Sequence, residues 1–146
     1  MLKFNSGAAK KLICVFSLML LLILSLVSCG ENSEPWDTAL LLEENGYNVS
    51  LTVGEKSIKA LSAEFGDFFN KDVYCVSFAV NEDSDLNDYE VSDFGLFIYC
   101  NNKEEVNRIF KKMEKAFLLD VDVVEQVDGV VFVGSMDIWD TTYGKK

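Results

Sequence analysis

FGLFIYCNNKEEVNRIFKKMEKAF, residues 94–117, changes its hydrophobic period midway, and that change decides what kind of fold the chain makes. Phe94–Cys100 is an uncharged run of aromatic and branched residues, the composition of a strand. Asn102 stands three residues before Glu105, the spacing of a capping box with Asn in place of the usual Ser or Thr. Val106, Ile109, Phe110, Met113 and Phe117 then recur at helical spacing, which predicts a helix with one buried face. Glu104 and Arg108 are placed as a favourable i,i+4 pair. Arg108, Lys111, Lys112 and Lys115 form the only basic cluster of the chain, on the outward face. A solvated face suited to the negative end of the helix dipole accounts for it, and a docking patch is the sharper alternative.

Towards the C-terminus, Val121–Val127 and Gly129–Gly134 flank Asp128-Gly129, the signature of a two-residue hairpin. Ser135–Thr142 predicts a short helix with Ile138 and Trp139 inward. Towards the N-terminus, Asn81–Asp93 reads as a polar, acidic hairpin loop. Val73–Val80 reads as a strand apolar on both sides, interior to a sheet. Residues 57–65 predict a short helix carrying Ile58, Leu61 and Phe65, with an irregular layer under the sheet as the alternative. Tyr47, Val49, Leu51 and Val53 alternate with Asn48, Ser50 and Thr52, a strand with one wet face. Trp36–Asn45 predicts a helix with Pro35 in its first turn, Ser33 or Glu34 as cap, and Trp36, Ala39 and Leu40 on one stripe. Gly46 stands where a left-handed cap is favoured. The expected fold is α+β: a mainly antiparallel sheet with helices packed on one face, a ferredoxin-like arrangement being one candidate. Helix, strand, strand recurs faintly, from Trp36 to Val80 and from Lys103 to Gly134.

Residues 10–29, KKLICVFSLMLLLILSLVSC, set the address. Two lysines precede an uncharged run from Leu12 to Val27, shorter than the ~20 apolar residues that a bilayer span needs. Leu26-Val27-Ser28-Cys29 resembles the bacterial lipobox. The resemblance implies that Cys29 is lipidated and that the chain is cleaved before it. Residues 1–28 would then be a lipoprotein signal peptide, 29–34 a short tether, 35–143 a single domain and 144–146 a frayed tail. The tether reaches at most ~20 Å from the membrane. The domain also resembles small lipoproteins of Gram-positive bacteria, in which a strand ending in polar residues leads into an amphipathic helix, here Phe97–Lys115. That resemblance implies an extracytoplasmic location and no particular activity.

The full chain carries 13 basic and 24 acidic residues. Loss of Lys3, Lys10 and Lys11 with the leader brings the net charge near −14. Such a domain is repelled by anionic headgroups and lacks the clustered cations that nucleic acid demands, so no nucleic-acid partner is expected. The chain has no histidine, and Arg108 is its sole arginine. Ser-His-Asp and Cys-His catalysis and His-containing zinc sites are thereby excluded. No cofactor is implied.

Asp83, Asp85 and Asn87 have the first spacings of a calcium-binding EF-hand loop. Asp88 at the glycine position and Phe94 at the position of the bidentate Glu break the pattern, and a hydrated loop is the better reading. Trp36 and Trp139 suit a core more than a binding patch. Cys75 and Cys100 lie on strands expected to pair across the acidic loop. Setting them opposite one another pairs Phe78 with Phe97 and permits a disulfide, against which stands the frequency of buried free thiols. The function expected is a non-catalytic, lipid-anchored domain that binds a protein or small ligand. A carboxylate- or thiol-dependent envelope enzyme and a structural envelope protein are the rivals. Cys29→Ser is expected to abolish lipidation and leave the uncleaved precursor. Mass spectrometry of the wild type is expected to find a modified Cys29 at the mature N-terminus, and an unmodified chain beginning at Met1 refutes the lipobox reading.

Overall fold

The computed structural model describes residues 34–81, 93–117 and 121–144. The elements follow as α1 (Glu34–Glu44), β1 (Tyr47–Val53), α2 (Glu55–Phe65), β2 (Val73–Asn81), β3 (Phe94–Cys100), α3 (Lys103–Phe117), β4 (Val123–Val127), β5 (Val130–Gly134) and α4 (Met136–Thr142). The strands form one sheet in the order β1-β2-β3-β5-β4, each pair of neighbours antiparallel. The α+β class expected of the chain is the class observed. The expected signal peptide 1–28, Cys29, the expected tether up to Ser33, and Asp83, Asp85 and Asn87 lie outside the described residues.

Helices cover both faces of this sheet rather than one. On the first face, Leu61 of α2 and Val106, Ile109, Met113 and Phe117 of α3 pack on Val76, Phe78, Leu96, Ile98, Val131 and Val133. On the second, Leu42 of α1 and Ile138 of α4 pack on Cys75, Ala79, Phe97, Tyr99, Val130 and Phe132. Every residue of β3 and β5 is buried. Strands apolar on both sides expose a second hydrophobic face unless something covers it, and two helical layers follow from that demand.

The ferredoxin-like candidate is met in permuted form. From α2 to β5 the chain runs helix-strand-strand twice. Its strands lie in the order β2-β3-β5-β4, with α2 and α3 on one face. This is the β-α-β-β-α-β pattern begun at a different element, with β5 inserted between β3 and β4. The faint repeat is therefore real, but its first half begins at α2 and not at Trp36. Beyond that unit, β1 widens the sheet and α1 and α4 close its second face.

Two glycine positions set local geometry. Asp128 and Gly129 both have positive φ, 44° and 91°, the backbone of a tight hairpin turn whose twist suits the strands. Gly134 lies opposite Gly95, and a Cβ on Gly134 would run into the Phe94 carbonyl and the Gly95 Cα at 2.8 Å. The absence of side chains there lets the chain turn from β5 into α4 against the end of β3, where Ser135 N–H donates to the Phe94 carbonyl at 2.8 Å.

Four local expectations are corrected. Asn102 caps α3 through its side-chain oxygen, 2.8 Å from the Glu104 N–H, but Glu105 does not complete the capping box. Its carboxylate is taken by Arg108 and by Asn70 at 2.9 Å, so Arg108 pairs with Glu105 and not with Glu104. Ser50 and Thr52, expected on a wet face, are buried beneath α2, where the Ser57 hydroxyl donates to the Thr52 carbonyl at 2.5 Å. In α1 the buried residues are Pro35, Ala39 and Leu42, whereas Trp36 and Leu40 are 38% and 59% exposed. The run Leu40-Leu41-Leu42 carries no phase of its own, and contact with the sheet selects Leu42. Trp36 is thus not a core residue, while Trp139 packs between Phe132 and Tyr143 at ring-centroid separations of 5.4 and 4.9 Å.

Phe117→Ala is expected to destabilise the domain by ~3–5 kcal/mol, since Phe117 is wholly buried. Half-buried Phe110→Ala is expected to cost less, and exposed Lys111→Ala almost nothing. Denaturant midpoints of the three variants check the order, and equal losses refute the helical phase.

Candidate functional site

The two ends of the sheet differ in chemistry. At one end lie the start of α1, near Asp128 and Tyr74, and the Asp128-Gly129 turn and the start of α3, where Cys100 N–H donates to the Gly129 carbonyl and Asn101 N–H to the Asp72 carbonyl, both at 2.8 Å. An open cleft of about 490 Å³ there is lined by Asn102, Lys103, Asn107, Gln126 and Asp128 among others. At the opposite end, a cleft of about 650 Å³ is lined by Tyr47, Asn81, Asp93, Asp137, Asp140, Thr141 and Gly144. The acidic segment 82–92 enters and leaves the described fold at this second end, through Asn81 and Asp93.

Three carboxylates converge on the second cleft from two directions. Asp93 arrives just ahead of β3 and accepts a hydrogen bond of 2.5 Å from Ser135. Asp137 and Asp140 come from α4, which the Gly134 approach has brought over the same edge. Tyr47, at the start of β1, lines the cleft beside Asp93 and Thr141. Its phenol is pushed above the ordinary value first by burial and then by the negative charges of Asp93 and Asp137. The cleft is therefore an anionic surface with one buried-side hydroxyl, chemistry that suits a cation or a basic side chain and gives no nucleophile. Among the described residues, no group of three or more metal-ligating side chains is arranged to hold an ion.

The thiols do not form the expected pair. The β2–β3 register runs one residue off the expected one, so that Phe78 lies opposite Leu96 rather than Phe97 and Cys75 opposite Tyr99, and a further shift at Tyr74 sets Cys100 opposite Val73. Cys75 belongs to the second face and Cys100 to the first, and both are free. Burial pushes each thiol up to about 12, which leaves them protonated and inert at neutral pH.

A second polar cluster sits under the start of α1. Burial and the charge of Asp128 raise the Glu34 carboxyl, and burial raises the phenols of Tyr74, Tyr99 and Tyr143 around it. Tyr99 is wholly buried, with Thr38 beside its hydroxyl. The Tyr143 hydroxyl has no hydrogen-bond partner among the described residues. The Tyr74–Tyr99 and Phe97–Tyr143 rings lie 6.2 and 6.4 Å apart, so this cluster is packed core and not an open site.

The basic face of α3 is smaller in structure than in sequence. Arg108 turns inward to Glu105 and to the Phe68 carbonyl, and its guanidinium lies 5.7 Å from the Phe68 ring centroid. Lys112 covers the other part of that ring at 5.5 Å. Lys111 and Lys115 remain exposed. Two charges of the apparent docking patch are thus spent holding the segment between α2 and β2 against α3.

No family model matches the chain, and neither curated proteins nor solved structures give a match. Among the described residues, no helix is long and apolar enough to cross a membrane. The converging Asp93, Asp137 and Asp140 were not singled out by sequence reasoning. They come from elements more than forty residues apart, and the only signal was the general excess of acid.

The Glu105 carboxyl is 5% exposed and is held below its ordinary value near 4.5, first by the hydrogen bond from Arg108, against burial, and then by Asn70. A depressed carboxyl contributes stability that is present above the unfolded value and lost as pH falls through the lower folded one. Wild-type stability is therefore expected to decline below about pH 4.5, while Glu105→Gln removes that part of the decline. At neutral pH, Glu105→Gln is expected to cost ~1–2 kcal/mol, discounted from a fully buried pair because Arg108 is 38% exposed. Parallel acid denaturation curves for the two proteins refute the pair's role.

Proposed function

We propose that this chain is a lipid-anchored binding domain on the extracytoplasmic face of a cell membrane, held through a lipid on Cys29 and offering the acidic cleft to a cationic ligand or partner. The observation that carries the reading is the placement of the cleft at the end of the sheet away from Glu34, where α1 begins. The electrostatic neighbours of Glu34 are Asp128, Tyr74 and Tyr143, whereas the cleft is built from Tyr47, Asn81, Asp93, Asp137 and Asp140. Residues 29–33 span at most ~17 Å. An anchor on Cys29 therefore holds the Glu34 end close to the headgroups and leaves the cleft facing outward. The anionic end is then the one furthest from anionic lipid, which is the orientation that repulsion favours.

Binding rather than catalysis is favoured by the state of the titratable groups. The thiols and phenols are shifted away from reactivity by burial, and the carboxylates of the cleft stand in an open, polar setting. A net charge near −14 supplies a long-range field that draws cations and speeds their arrival. Nucleic acid is the wrong sign for that field.

Tetralysine serves as the probe, titrated into full-length protein in detergent at low and moderate salt. Asp137→Asn combined with Asp140→Asn is expected to weaken binding ~10-fold or more, and Asp128→Asn at the other end to leave it unchanged. Equal weakening by both sets means only diffuse attraction to an acidic protein, and the cleft reading falls.

A further inference from the structure

The edges of the sheet are protected unequally. β4, at one edge, is five residues long and exposes Glu125 and Gln126. β1, at the other, is seven residues long, carries no charge and no proline, and keeps one register with β2 from Tyr47↔Asn81 to Val53↔Cys75. Edge strands are ordinarily blunted by charge, proline, bulges or brevity, because their outward N–H and C=O groups pair with any extended chain. β1 uses none of these devices.

The hydrogen-bond alternation identifies which groups are open. Gly54 N–H donates to the Tyr74 carbonyl at 2.9 Å, in the same register as the β1–β2 pairs. Directly opposed residues alternate between bonded and non-bonded pairs, so Thr52, Ser50 and Asn48 turn their backbone groups towards β2. The bonds at the far side of β3, from Cys100 N–H to Gly129 and from Ser135 N–H to Phe94, lead to the same phase through β3 and β2. Val49, Leu51 and Val53 therefore present their N–H and C=O outward, and no other strand among the described residues lies beside them.

Helix α1 lies over β1 and β2 and adds apolar side chains to this edge. Thr38, half-buried, lies beside Tyr99, and the charge of exposed Glu34 reaches Tyr143. Trp36 and Leu40, on the opposite flank of the helix, are 38% and 59% exposed, and Val53 is 43% exposed at the end of the strand. Tyr47, the first residue of β1, lines the acidic cleft, so the open edge and the cleft form one continuous surface.

We propose that the edge of β1 binds an extended segment of a partner protein, which adds antiparallel as a sixth strand and carries basic residues just after it. An antiparallel addition runs from Val53 towards Tyr47, and this direction delivers the C-terminal side of the segment to Asp93, Asp137 and Asp140. Main-chain bonds to Val49, Leu51 and Val53 supply affinity, and Trp36 and Leu40 cover alternate side chains of the added strand. The choice of occupant rests on charge complementarity and on the cleft reading above: a second copy brings another strongly acidic domain to the acidic cleft and to a helix α1 that exposes Asp37, Glu43 and Glu44, whereas a basic segment is drawn to them.

The probes are three synthetic peptides of alternating threonine and valine: one ended by two lysines, one begun by them, and one ended by two glutamates. Full-length protein in detergent is followed by amide hydrogen exchange. The peptide ended by lysines is expected to slow exchange at Val49 and Leu51 at least ~10-fold, leaving Ser50 and Thr52 unchanged, and to bind more tightly than the other two. Val49→Pro removes one outward donor, and Trp36→Ser with Leu40→Ser alters only exposed side chains. Each is expected to weaken binding at least ~5-fold, and the second set keeps the test decisive if the proline variant does not fold. No protection of Val49 and Leu51, or equal binding of the lysine and glutamate peptides, overturns the proposal. Concentration-dependent protection of the same amides without peptide, with a doubled mass in sedimentation, assigns the edge to a second copy and also overturns it. Tetralysine binding that responds to Asp137→Asn and Asp140→Asn, without any strand protection, leaves the cleft reading standing and removes the strand addition alone.

Discussion

The burial of β2, β3 and β5 on both faces is the constraint from which the architecture follows. A sheet whose central strands read Val-Tyr-Cys-Val-Ser-Phe-Ala-Val, Phe-Gly-Leu-Phe-Ile-Tyr-Cys and Val-Val-Phe-Val-Gly has no face that tolerates water. One pair of helices, α2 and α3, completes the permuted ferredoxin-like layer. The other pair, α1 and α4, exists to close the face that layer leaves bare. α4 reaches its place because Gly95 and Gly134 lie opposite each other, and that approach also brings Asp137 and Asp140 beside Asp93. Core closure and the candidate cleft are thus consequences of the same packing step.

Charge is distributed with a similar economy. The single arginine is spent on the Glu105 carboxylate and the Phe68 carbonyl, and Lys112 on the Phe68 ring, so the segment joining α2 to β2 is held down by cations that looked free in the sequence. The half-buried Glu105–Arg108 pair takes its Asn70 contact from the same segment. Exposed acids are spread over most of the elements, and three carboxylates, Asp93, Asp137 and Asp140, meet around one cleft. A domain of this kind binds through its field and its edges more readily than through a deep pocket.

Much of the fold was legible from period alone. The bounds of β1 and β3 agree with the alternation and the aromatic runs that predict them, and α3 with its stripe from Val106 to Phe117. The hairpin turn at Asp128-Gly129 follows from two residue types that tolerate positive φ. The lipobox likeness at Leu26–Cys29 is likewise a matter of local chemistry. Even the second helical layer had a trace in the sequence, since strands apolar on both sides need cover on both sides.

The rest depended on contacts that no local pattern encodes. The expected index sum placed Cys75 opposite Cys100, but the two strands pair one residue away from it along their length, and that slip sends the two thiols to opposite faces. Three consecutive leucines in α1 carry no helical phase, so only the sheet beneath could choose Leu42 and leave Leu40 exposed beside Trp36. Asp93, Asp137 and Asp140 were three acids among 24 until tertiary packing set them round one cleft. Sequence determines the elements, because hydrophobic period and turn chemistry act over a few residues. Tertiary structure decides faces, register and site, because those depend on which distant surfaces exclude water from one another.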